Sequence, residues 1–66
     1  MKLEDAKQRI ETAINQYGAQ AGMAIELVIS EVRSDLGATA VNELVEEFDL
    51  ELLYNIAPMD SDYSNS

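Results

Sequence analysis

Gly18-Ala19-Gln20-Ala21-Gly22 interrupts the longest apolar pattern in this chain, and the reading of that stretch decides the fold. Either Gly18 ends a helix with its backbone at positive φ and a second helix starts beyond it, or one helix runs through. The apolar phase does not break here. Ile10, Ile14, Tyr17, Ala21, Ile25, Val28, Val32 and Leu36 share one 3.6-residue period across both glycines. Two glycines inside a helix cost roughly 1 kcal/mol each against alanine, which tertiary packing can offset. Size favours the hairpin, because a monomer of 66 residues cannot cover a single helix from Leu3 to Leu36. The long helix would instead imply a dimer. Gly18-x-x-x-Gly22 also has the spacing that lets helices approach closely, a weak signal in a soluble chain.

On the N-terminal side, Leu3, Ala6, Ile10, Ala13, Ile14 and Tyr17 mark one apolar helical face. Asp5 with Arg9 and Glu4 with Lys7 stand at i,i+4 and i,i+3, pairs worth about 0.2–0.5 kcal/mol each. On this reading the first helix neutralises its own charge. Beyond the glycines, Met23, Ala24, Ile25, Leu27, Val28, Ile29 and Val32 cover more than one face, which predicts a central helix packed on several sides. Glu26, Glu31 and Arg33 do not alternate as a strand requires. Gly37 closes this helix, and Thr39 is a candidate N-cap for the next. Val41, Leu44, Val45, Phe48, Leu52, Leu53 and Ile56 continue at helical spacing. Asp49 either caps a new short helix or lies inside the same one, and Pro58 ends the pattern. The expected architecture is all-α: a small helical bundle of three to four helices. Residues 1–57 form its single domain. Residues 58–66 form a flexible acidic tail, with Met59 and Tyr63 as anchors.

Composition narrows the chemistry. A chain this short buries only about 60% of its unfolded surface. With neither cysteine nor histidine it has no disulfide and little prospect of a metal staple. Apolar residues make up 47% of the chain, enough for an ordinary core. Glu26 and Glu31 break the apolar runs well short of the roughly 20 residues that span a bilayer. No basic segment followed by an apolar stretch opens the chain. A soluble, cytoplasmic protein is expected.

Lacking histidine and cysteine, the chain lacks the commonest general base and the strongest neutral-pH nucleophile. Paired carboxylates need a walled cleft to separate their pKa values, and one small core leaves little room for it. No enzyme, cofactor or metal site is expected. Asp60-Ser61-Asp62-Tyr63-Ser64 has the outline of a calcium loop but lacks the glycine at its sixth position. A DNA-reading helix-turn-helix is excluded by charge, since its recognition helix would be the acidic Thr39–Ile56 segment.

The distribution of charge is the feature that points to a partner. All four basic residues lie at or before Arg33, accompanied by five acids. Eight carboxylates and no base follow, giving a net charge of −9. Such a chain repels phosphate backbones and anionic membranes, so neither nucleic acid nor membrane is an expected direct partner. A basic protein surface is favoured, and the chain itself is read as a monomer or homodimer. Glu43, Glu46 and Glu47 fall on one helical face, with Glu51 one turn beyond Glu47. Like charges at that spacing destabilise a helix, whereas surfaces kept for solubility intersperse both signs. Carboxylates one turn apart are separated by about 6 Å, close to the step between successive phosphates. An acidic helical face can therefore stand in for a phosphate track toward Arg and Lys. The competing account is a helical assembly or dimerisation module, using the apolar surface around Gly18–Val32, whose acids only keep it soluble.

In size, charge and helical make-up the chain resembles the small phage-encoded inhibitors, anti-CRISPR proteins among them, that mimic nucleic acid. Asp35, Glu43, Glu46, Glu47, Asp49 and Glu51 carry that resemblance. It implies an inhibitor that occludes a positively charged DNA or RNA channel of a host defence protein or nuclease.

Overall fold

The computed structural model describes residues 1–58. The expected tail from Met59 onward, with its calcium-loop outline and both anchor residues, lies outside them. Among the described residues the chain forms four α-helices and no strand: α1 (Leu3–Tyr17), α2 (Gly22–Leu36), α3 (Ala38–Glu47) and α4 (Leu50–Tyr54), with a 3₁₀ turn at Gly18–Gln20 between the first two. The all-α expectation and the count of three to four helices agree with this.

The glycine stretch is a turn. Gly18 sits at φ 58° and ψ −125°, and its N–H donates to the Ile14 carbonyl. An L side chain rarely adopts that conformation, so the helix ends here in spite of the unbroken apolar phase. Gly22 needs no such freedom. It opens α2, and a Cβ there would meet the Tyr54 ring at an ordinary 3.7 Å. The two glycines therefore do different jobs, and neither permits a helix–helix close approach. Tyr54 also reaches over the turn, its hydroxyl donating to the Gly18 carbonyl at 2.8 Å.

α1 and α2 pack as an antiparallel hairpin, and α3 lies against α2. One cluster joins Ala6, Ile10 and Ala13 of α1 with Ala21 and with Ile25, Val28, Ile29 and Val32 of α2. Val41, Leu44 and Val45 of α3, Leu50 of α4, and Ile56 complete it. Each large apolar side chain buried this way contributes roughly 1.5–3 kcal/mol.

Gly37, at φ 93°, closes α2 with its N–H shared between the carbonyls of Val32 and Arg33. It also occupies the N-cap of α3 and has no side chain to cap with. Thr39, expected at that position, lies inside the first turn instead. α3 stops at Glu47 because Asp49 turns left-handed, at φ 51°. Asp49 does precede a new short helix, as one of the two readings had it, but its side chain makes no capping bond. The left-handed residue resets the phase of α4. Leu50 becomes fully buried, while Leu52 and Leu53, expected in the core, are 83% and 62% exposed.

α2 differs from expectation in a related way. Its core face is packed, but Met23 and Leu27 are 86% and 60% exposed. The monomer covers this two-faced helix on one side only.

Candidate functional site: the acidic α3–α4 end

The chain's few cations determine which carboxylates remain uncompensated, and α1 does not spend its own cations on itself. Lys7 Nζ reaches α3 and lies 3.0 Å from Glu47 Oε1. Arg9 clasps Glu31 of α2 in a bidentate pair, with Nη1–Oε1 at 2.6 Å and Nη2–Oε2 at 3.3 Å. The expected pairs of Glu4 with Lys7 and Asp5 with Arg9 give way to these cross-helix bridges. A bidentate guanidinium fork fits a carboxylate on a neighbouring helix, and the two bridges link α1 to α2 and α3 at the surface. The hydrogen bond that Lys7 donates to Glu47, together with that carboxylate's charge, holds the Lys7 ammonium above its ordinary pKa. Desolvation opposes this, and Glu43 and Glu4 reinforce it. The hydrogen bond from Arg9, with its charge behind it, draws the Glu31 carboxyl below its ordinary value, against desolvation.

The six residues singled out from sequence therefore separate into groups. Asp35, at the end of α2, meets the N-terminal ammonium of Met1 at 3.3 Å. Glu47 is bound to Lys7, and Glu43, one turn before it on α3, contributes to the same cation's field. Glu46, Asp49 and Glu51 are brought together at the α3–α4 corner. There they surround a shallow groove with Asn42, Val45, Leu52 and Pro58. Among the described residues no cation comes within ion-pair distance of Glu43, Glu46, Asp49 or Glu51. All four side chains are exposed.

The left-handed turn at Asp49 produces this convergence. A continuous helix would have carried Glu51 onward along the α3 axis. The turn instead folds α4 back, so that Glu51 and Leu52 share a groove with Glu46. Leu52, at 83% exposure, adds an apolar protrusion among the three acids. Sequence reasoning placed Leu52 in the core and so missed it. Asp49 held the available signal, since Asp tolerates the left-handed region better than most residues. Tyr54, which secures α4 onto the hinge, was also missed. Its packing residue is a glycine two helices away, which periodicity cannot reveal.

Chemically, the corner can accept hydrogen bonds from guanidinium and ammonium groups over a curved surface. Among the described residues no cluster of three or more acids is disposed to hold a metal ion, and no helix is long and apolar enough to cross a membrane. Comparison with protein-family models, with curated proteins and with solved structures finds no match. The reading of the site rests on its own chemistry.

Proposed function

We propose that this protein is a small acidic binder that blocks a basic nucleic-acid-binding surface of a partner protein by electrostatic mimicry. One observation carries the reading: Glu46, Asp49 and Glu51 crowd one end of the molecule with no described cation within ion-pair distance, while Lys7 and Arg9 are committed to bridges between helices. Repulsion among those acids opposes folding, and a partner that supplies cations relieves it. The geometry favours Arg-rich surfaces, whose planar forks bind carboxylates as they bind phosphates. Leu52 adds a requirement that a bare phosphate track lacks, namely an apolar pocket beside the partner's cations. An inhibitor of the anti-CRISPR type, occluding the nucleic-acid channel of a defence nuclease, is the form of this activity that the resemblance implies.

An arginine-rich peptide is the probe that tests the face directly. Amide resonances should shift within residues 42–52 as the peptide is titrated, and affinity should fall steeply with added salt. Shifts distributed over every exposed carboxylate of the molecule, Glu11 and Glu26 included, would remove the basis of the proposal.

A further inference from the structure

α2 is apolar on two faces, and the monomer covers one. Ile25, Val28, Ile29 and Val32 enter the core, whereas Met23 and Leu27, one turn apart, stand out to solvent at 86% and 60% exposure. Tyr17, at the end of α1, is 54% exposed beside them. Between the helices runs a groove with Ala13, Ala24 and Val28 among its lining residues. Its low alanine side chains leave room for a large side chain from outside. The groove lies on the side of α1 that carries Arg9, away from the Lys7 edge that meets α3.

Charge selects the occupant. The hairpin, residues 1–36, holds all four basic residues against six carboxylates, whereas residues 37–58 hold five carboxylates and no base. The groove itself is lined by one acid, Asp5, and one base, Arg9, with Gln8, Thr12 and Gln16 supplying neutral polar groups. A basic partner is drawn to the acidic α3–α4 end instead. Two copies, each at −9, repel wherever their acidic ends meet, and the hairpin groove is where that repulsion is weakest. It is also self-complementary. A two-fold pairing across it sets the exposed Leu27 of each copy against the low Ala13 of the other.

From this we infer that the α1–α2 groove is a homodimer interface, in which Leu27 and Met23 of each copy seat over Ala13 and Ala24 of the other. Two hairpins packed back to back make a four-helix layer, with the acidic α3–α4 ends turned outward at its two sides. The inference does not depend on the proposed function of those ends.

Sedimentation equilibrium of the intact protein tests it. A concentration-dependent dimer is expected, and added salt should strengthen it by screening the like net charges. Leu27→Glu should raise the dissociation constant by more than about tenfold, since side chains at the centre of an interface carry most of its binding energy. Met23→Gln provides a milder second variant. Both positions are exposed in the monomer, so helical circular dichroism should be unchanged. With no native cysteine, Gln16→Cys accepts a single spin label. Mixed with unlabelled protein, it should broaden the Met23 and Leu27 amides of the unlabelled copy. A monomer at all concentrations overturns the inference. So does a dimer that survives Leu27→Glu, or one that shows no such broadening.

Discussion

The Tyr54 hydroxyl donates to the Gly18 carbonyl across 2.8 Å, joining the last helix to the turn that folds the first two together. Its ring also packs over Gly22, so one side chain clasps both ends of the hinge. This contact holds α4, and with it Glu51 and Leu52, in register with α3.

Tyr54→Phe should therefore lower stability by about 0.5–1.5 kcal/mol, the net worth of one hydrogen bond, with the ring contact kept. Tyr54→Ala loses both and should cost more. Urea unfolding followed by circular dichroism measures the difference, and equal stability of Tyr54→Phe and the parent would show that the bond adds nothing.

The two glycines of the hinge should respond in opposite directions. Gly22 lies in α2 with ordinary space for a methyl group, so Gly22→Ala should stabilise by up to about 1 kcal/mol through helix propensity. Gly18 is at φ 58°, where an L side chain is strained, so Gly18→Ala should destabilise by about 1 kcal/mol or more. Thermal melts of the two variants separate a turn from a helix–helix contact, since a contact would penalise both.

The phase reset at Asp49 makes a sharp contrast two residues apart. Leu50 is fully buried, so Leu50→Ala should cost about 2–5 kcal/mol. Leu52 is exposed, so Leu52→Ser should leave stability within about 0.5 kcal/mol of the parent. If the proposed face is functional, Leu52→Ser should instead weaken binding without changing its salt dependence. Chemical denaturation of both variants gives the first comparison.

These positions show what the sequence made legible. Spacings of three and four residues located the helical stretches and most of the core, because burial of one face is a local, periodic property. Gly18 and Gly37 announced two of the breaks, since positive φ favours glycine. The break at Asp49 was ambiguous, because a left-handed aspartate interrupts a helix without interrupting the hydrophobic count. Leu52 and Leu53 were consequently placed in the core, and the convergence of Glu51 with Glu46 was hidden. The salt bridges were misread for a different reason. Side chains as long as Lys7 and Arg9 choose between neighbours on their own helix and carboxylates on another, and only the packing decides.

Acid should weaken the α1–α2 bridge specifically. The folded-state pKa of Glu31 is depressed by Arg9, so the pair's contribution is present above the ordinary carboxylate range and is lost as pH falls through the depressed value. A double-mutant cycle with Arg9→Gln and Glu31→Gln should show coupling at neutral pH that fades in acid. On the alkaline side, the raised Lys7 pKa keeps the Lys7–Glu47 contribution until pH climbs past that value. Coupling between Arg9 and Glu31 that is unchanged in acid contradicts the assignment.

The central claim is that position, and not overall acidity, makes the α3–α4 end a binding face. The direct test is a charge-matched pair of variants titrated with the same arginine-rich peptide. One is Glu46→Lys with Asp49→Asn and Glu51→Lys, asparagine being chosen because it tolerates the left-handed turn. The other is Glu11→Lys with Glu4→Gln and Glu26→Lys, which makes the same change in net charge on α1 and α2. The account predicts that the first abolishes binding and the second leaves most of it. Equal loss in both would mean that the peptide reads only net charge, and the claim would fail.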